Sequence, residues 1–180
     1  MKSLRDRELI FTENHILETY SDGYVMMDWE DGIMKEHARA ACHNQGDILE
    51  VGFGMGISAG YIQSFSPKSH TIMEFHPQVL EKLHKWAKDK EGVKIIEGDW
   101  IENLEELKLY DGIFFDTYLD KNNPRLLMDY LKPGGVFTFF NPNEGKHLGL
   151  DCEYKKMEVN PDKNDYFRKK TYYLPVYKKM

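Results

Sequence analysis

Short continuous apolar runs alternate along most of this chain with stretches whose apolar positions fall three and four residues apart. That is the pattern of buried strands followed by amphipathic helices. The run 47–52 predicts a strand that ends in glycines, and 57–65 after it predicts a helix. A second strand is expected over 70–74. Residues 77–88 then carry Val79, Leu80, Leu83, Trp86 and Ala87 at helical spacing, with Pro77 suited to the first turn. Further strands are expected over 93–97, 111–116 and 135–140, with helices over 100–107 and 124–131 between them. Strands alternating with helices imply a mostly parallel sheet covered on both faces, an α/β architecture.

The ends of the chain depart from that rhythm. Residues 151–159 and 171–178 both read as strands joined by a turn around 160–164, which predicts a C-terminal antiparallel hairpin. A helix is expected over 31–43, while the first thirty residues show little regular periodicity. With no linker signal, one domain over 1–180 is expected, with 1–45 as N-terminal cover and helix and 46–180 as core.

Composition narrows the function classes. The formal charge of −6 argues against nucleic acid, whose binding relies on Lys and Arg displacing counterions. The basic residues of 155–179 alternate with Tyr, Val and Met and read as solvated strand faces. No apolar run approaches the roughly 18 residues of a membrane span, and MKSLRDRE lacks the apolar stretch of a signal peptide, so a cytoplasmic address is expected. Cys42 and Cys152 have no C-x-x-C partner, and the histidines stand singly, so neither a disulfide framework nor a metal site is expected. His76 and His147, near predicted strand ends, read as ordinary surface.

Candidate chemistry gathers at the end of the first core strand, where open α/β sheets bind ligands. Gly52, Gly54 and Gly56 stand at every second position, allowing positive φ and close approach of a ligand to bare backbone. Glu74 follows about 20 positions after Gly52, where a carboxylate can accept ribose hydroxyls. That spacing fits either NAD or S-adenosylmethionine. Ile57, however, stands where a dinucleotide fingerprint wants its third glycine, and Glu50 suits a ligand bearing an amino group and a sulfonium better than a pyrophosphate. Asp99 and Trp100 add an acceptor for an adenine amino group and an aromatic wall.

Glu50-Val-Gly-Phe-Gly-Met-Gly56, Glu74, Gly98-Asp99-Trp100 and Leu131-Lys-Pro-Gly-Gly135 resemble the successive motifs of class I S-adenosylmethionine-dependent methyltransferases, over about residues 47 to 140. The resemblance implies a single Rossmann-like domain with a seven-stranded sheet whose last strand is antiparallel. It also implies S-adenosylmethionine as cofactor and S-adenosylhomocysteine as product. Met26-Met-Asp-Trp-Glu30 with Met34, the loop Val51-Gly-Phe-Gly-Met55, and Phe115-Asp-Thr-Tyr118 resemble guanidinoacetate N-methyltransferase and the arginine δ-N-methyltransferases of fungal type. By that resemblance Glu30 and Asp116 hold an acceptor guanidinium, with Tyr118 beside them.

The acceptor's chemistry agrees. A guanidinium, with a pKa of about 13.8, is a delocalised cation and a poor nucleophile. Paired carboxylates orient it and offset its charge. Asp116 is expected to polarise the group and take its proton, Glu30 to act as second clamp, and Trp29 and Tyr118 to exclude water. Glu30 also suits the first turn of the following helix, where an acid favours the dipole. Met26, Met27 and Met34 suit a core as well as a cofactor wall, and Met27 joins Asp116 in the expected cofactor set.

Two departures bear on the acceptor side. The chain between Tyr118 and Leu131 is shorter than in guanidinoacetate methyltransferases and lacks their histidine-containing insertion, and 141–145 lead almost directly into the hairpin. What holds the acceptor's distal end is therefore open, and Tyr172-Tyr-Leu-Pro-Val176 resembles the C-terminal strand of the arginine-directed relatives only faintly. The expected partner is a small guanidino molecule or a protein arginine. Two other readings stay open: transfer to another amine or hydroxyl acceptor, and a non-catalytic cofactor-binding subunit. Oligomeric state is open as well.

Overall fold

The computed structural model describes residues 3–141, 148–164 and 166–180. Its main sheet has seven strands in the order β6-β5-β4-β7-β8-β10-β9. These are β4 (Asp47–Val51), β5 (Ser69–Glu74), β6 (Val93–Glu97), β7 (Tyr110–Phe115), β8 (Leu131–Phe139), β9 (Glu153–Glu158) and β10 (Thr171–Lys178). The first five run parallel, while β10 is antiparallel to β8 and β9 to β10. All five residues of β4 are buried, as befits a strand flanked by β5 and β7 and covered on both faces.

Helices α1 (Asp31–Ala41) and α2 (Ile57–Ser64) pack Ala38, Ala41 and Ile62 with Ile48, Phe114 and Tyr172. Helix α3 (Pro77–Ala87) brings Val79, Leu80 and Leu83 against Ile72. The helices expected over 100–107 and 124–131 do not form: a 3-10 turn occupies Leu104–Glu106, and a 3-10 segment Pro124–Tyr130. In the first, Asp99 accepts the Ile101 N–H at 3.1 Å, and Asn103 donates to the Asp99 carbonyl at 2.7 Å. Such local side-chain bonds compete with helix hydrogen bonds. The second has only seven residues, from Pro124 to the start of β8, too few to repay helix nucleation.

The N-terminal segment is more regular than its periodicity suggested. β1 (Leu9–Phe11), β2 (His15–Glu18) and β3 (Gly23–Met27) form a separate antiparallel sheet. Asp22, at φ 51°, turns the chain into Gly23, and the Thr12 hydroxyl accepts the Asn14 and His15 N–H groups at the other turn. The Gln78 amide on α3 fastens this sheet by accepting the Leu9 N–H at 2.7 Å and donating to the Leu9 carbonyl at 2.9 Å.

One buried histidine ties α1 to the far half of the main sheet. His37 stacks on Phe114 at 4.7 Å, with Thr138 2.6 Å from Nδ1 and Tyr172 Oη 2.8 Å from Nε2. Thr138 donates to the Pro175 carbonyl, so it accepts from Nδ1–H, and Tyr172 donates to Nε2 while accepting the Asn141 N–H. Burial pushes the imidazole down to about 3, which keeps it neutral. Among the described residues, no helix is long and apolar enough to cross a membrane.

Gly112 is where α1 and β7 come closest: a Cβ there would lie 1.9 Å from the Ala41 carbonyl oxygen. Gly112→Ala is expected to force α1 outward at about 1–3 kcal/mol. In a domain of this size that lowers Tm by several degrees, measurable by thermal denaturation.

Candidate active site

β4 sits between β5 and β7, whose connections leave toward opposite sides, so its C-terminal end opens into a crevice. The ladder runs one residue past the strands, with the Gly52 N–H on the Met73 carbonyl and the Asp116 N–H on the Val51 carbonyl, both at 2.9 Å. The loops after β4 and β7 touch there. At Gly52 (φ 93°) a Cβ would fall 1.9 Å from the Asp116 carbonyl oxygen, and at Gly54 (φ 53°) one would fall 2.6 Å from Met26 Sδ. At Gly52 backbone excludes any side chain, and at Gly54 the left-handed φ disfavours one.

Above these loops lies a cavity of about 750 Å³, within the range of small-ligand sites. Its lining includes Gly52, Gly54, Glu74, Asp99, Trp100, Asp116, Tyr118 and Glu30. Glu74 organises one end: its carboxylate accepts the Phe53 N–H at 3.0 Å and the Phe75 and His76 N–H groups at 2.8 Å. It thereby fixes the glycine loop to the end of β5. Nearby, the buried Trp100 ring donates its indole N–H to Asp120 at 2.5 Å. Glu30, Asp116, Tyr118, Phe140 and Tyr166 make up the acidic and aromatic end of the lining, with the Tyr166 hydroxyl on Glu30 and its ring 6.3 Å from Phe140.

Four expected site residues are absent from the lining. Glu50 is fully buried beneath the loop, accepting from Ser58 and facing His70 Nε2 at 2.9 Å, so its carboxylate is spent within the protein. Gly56, in a left-handed conformation, precedes α2. Met27 is buried outside the lining, and its neighbour Met26 takes the wall position. Trp29 lies behind Tyr166, ring centroids 6.0 Å apart. His76 is no surface residue: it is buried, caps α3, and its Nε2 meets the Arg7 carbonyl at 2.8 Å. His147 and residues 142–145 lie outside the described residues.

The structure adds residues that the sequence reading did not single out. Ser3, Leu4, Arg5, Tyr24 and Val25 bring the N-terminal sheet and the segment before it over the cavity. Phe140 and Tyr166 enter from the end of β8 and from the β9–β10 connection. Tyr166 had one available cue, the turn-forming Asp162 and Asn164 before a pair of aromatics. Asn164 Oδ1 accepts the N–H groups of Tyr166 at 3.0 Å and Phe167 at 2.6 Å.

Glu30 and Asp116 dominate the electrostatics of that end. Burial, reinforced by the charge of Asp116, pushes the Glu30 carboxyl up to about 8. Burial, reinforced by Glu50, pushes Asp116 up to about 7. Glu30 is only 3% exposed, and it accepts the Tyr166 hydroxyl at 2.5 Å and the Met27 N–H at 2.9 Å. Among the described residues neither acid forms an ion pair with a Lys, Arg or His. Two desolvated carboxylates facing one cavity repel each other and favour a cation between them.

Solved structures share this fold. N-methyltransferase NodS from Bradyrhizobium japonicum superposes with a TM-score of 0.63 at 15% identity, over 84% of this chain and 96% of that one. Precorrin-6y C5,15-methyltransferase from Geobacter metallireducens gives 0.62 at 17% identity, over 83% and 87%. The architecture is thus that of the Rossmann-like class I methyltransferases. Within that class, the sequence of the family described as guanidinoacetate N-methyltransferase matches residues 12–160, and the chain belongs to that family. Among curated relatives, "Protein arginine N-methyltransferase 2" of Yarrowia lipolytica is 34% identical over 98% of this chain and 46% of its own length. The protein of the same name from Saccharomyces cerevisiae is 31% identical over 93% and 50%. The chain therefore spans about half the length of these relatives.

Proton linkage offers a test of the paired acids. A carboxyl whose pKa is higher in the folded state contributes stability at low pH that is lost as pH rises to its folded value. For Glu30 that window runs from 4.5 to about 8, and for Asp116 from 3.8 to about 7. His37, lowered from 6.5 to about 3, has the opposite slope but only below 6.5. Between pH 6.5 and 8 the ligand-free protein is therefore expected to lose thermal stability. Glu30→Gln should flatten that slope and raise Tm at pH 8 by about 2–4 °C or more. Scanning calorimetry in buffers of matched ionic strength checks this, and an unchanged slope in the variant would count against the paired-acid description.

Proposed function

We propose that this chain is an S-adenosylmethionine-dependent N-methyltransferase acting on a guanidino group, with a protein arginine favoured as acceptor by the names of its relatives. The observation that carries the reading is the pair Glu30 and Asp116, buried at one end of the cavity and lacking a cationic partner among the described residues. A guanidinium supplies the missing positive charge and offers planar N–H groups for bidentate pairing with carboxylates.

The other end of the cavity suits the cofactor. Gly52 and Gly54 line it with backbone alone, which lets a ligand approach the loop closely. Glu74 is held by three N–H donors yet retains lone pairs for ribose hydroxyls, and Asp99 and Trp100 stand beside it. Bound there, S-adenosylmethionine would supply an electrophilic methyl group and leave as S-adenosylhomocysteine. Glu50, spent on Ser58 and His70, would support the glycine loop from beneath and raise the proton affinity of Asp116 through its charge.

In this reading the acids draw positive charge toward the N–H groups they bind, which leaves electron density on the remaining nitrogen. That nitrogen becomes the nucleophile, and Asp116 accepts the proton it releases. A carboxyl with a raised pKa is a better base than an ordinary aspartate. Tyr118, Phe140 and Tyr166 limit water at this end, which strengthens every charge interaction there.

Methyl-labelled S-adenosylmethionine offered with guanidinoacetate, arginine and an arginine-rich protein is expected to label a guanidino product. Asp116→Asn should lower the rate by about 10²-fold or more, the usual contribution of a general base. Cofactor binding with no transfer to any guanidino acceptor would overturn the proposal.

A further inference from the structure

The acceptor-side segments missing from the sequence leave a wall to be supplied, and the β9–β10 connection supplies it. Between β9 and β10, residues 159–164 and 166–170 place Tyr166 in the cavity lining. The connection is well anchored. Asn164 is buried, accepts the Tyr166 and Phe167 N–H groups, and donates to the Asp162 carbonyl at 2.7 Å. Phe167 is buried and stacks on Trp29 at 5.4 Å, while the Tyr166 ring packs on Trp29 and lies 6.3 Å from Phe140.

The Tyr166 hydroxyl donates to Glu30 Oε1 at 2.5 Å, a contact spanning 136 positions of the chain. The Met27 N–H donates to the same oxygen at 2.9 Å. Two donors converging on Oε1 fix the carboxylate plane, and among the described residues Oε2 has no donor. Burial and the charge of Glu30 push the phenol well above its ordinary pKa, so it remains a donor throughout the working pH range. A carboxylate on a flexible side chain, facing a second acid, would otherwise turn away from it. A phenol held by its own loop prevents that rotation.

We infer that Tyr166 is a positioning residue for the acceptor: through its hydroxyl it locks the Glu30 carboxylate in the orientation that presents Oε2 to the guanidinium. The C-terminal hairpin thus takes part in acceptor recognition as well as closing the sheet. The inference rests on the guanidino-acceptor reading and adds to it a residue contributed by the β9–β10 connection.

Tyr166→Phe keeps the ring stacking and removes only the hydroxyl. It is expected to raise the acceptor KM about tenfold or more, with the KM for S-adenosylmethionine unchanged. Because the effect passes through Glu30, adding Tyr166→Phe to Glu30→Gln should change the acceptor KM much less than it does in the wild type. Calorimetric binding of N-acetylarginine amide to the four proteins should follow the same non-additive pattern. If the wild type binds and methylates a guanidino acceptor and Tyr166→Phe does so equally well, the positioning role is wrong and the function stands. Additive effects would likewise overturn it, since they would mean that the hydroxyl acts independently of Glu30. If the wild type binds no guanidino compound, the functional reading fails and this inference falls with it.

Discussion

The backbone contact between Gly52 and Asp116 is the constraint on which the rest of the site depends. Parallel pairing of β4 with β7 brings two loops to the same spot, and the Asp116 carbonyl occupies the volume that a Cβ on Gly52 would need. Because the loops meet backbone to backbone, the Asp116 side chain can turn into the cavity instead of packing between them. The glycine loop, held on its other side by Glu74, cannot shift to relieve the crowding. One close approach therefore sets the position of the acid and the shape of the ligand cradle together.

Onto this rigid edge the chain brings two segments far away in sequence. Glu30 comes from the turn between the N-terminal sheet and α1, and Tyr166 from the β9–β10 connection. Neither the paired acids nor the phenol contributes to folding as apolar burial does; desolvating two like charges opposes it. The aromatic packing of Trp29, Phe140, Phe167 and Tyr172 offsets that penalty locally. A stable core thus carries two desolvated acids that have no cationic partner among the described residues.

Much of this was legible in the amino-acid order. β4 and β7 were legible from short apolar stretches bounded by polar residues and glycine, Ile48-Leu49 with Val51 and Ile113-Phe114-Phe115, and β5 from Ile72-Met73. Helices α1 and α3 were legible for the complementary reason, a clear apolar stripe. The strands of the N-terminal sheet, three to five residues long, are too short to establish a period. The expected helices after β6 and β7 were lost to local side-chain bonding and short length. Within the site, Gly52, Glu74 and Asp116 could be placed because motif position fixes them relative to strand ends. Glu50 and Met27 could not, since the direction of a side chain depends on which face of its strand it occupies. Tyr166 was the least visible, because its partner Glu30 lies at the other end of the chain.

The hydrogen-bond relay through His37 has a consequence of its own. From the Asn141 N–H through Tyr172, His37 and Thr138 to the Pro175 carbonyl, every donor has one acceptor, and the direction of each link is fixed by the next. Exchanging a single member strands a polar atom in a dry interior, whereas exchanging all three side chains for apolar ones of matching shape would not. The trio is therefore bound to a common fate: sequence drift at these three sites must proceed in concert, across helix α1 and two strands, or not occur.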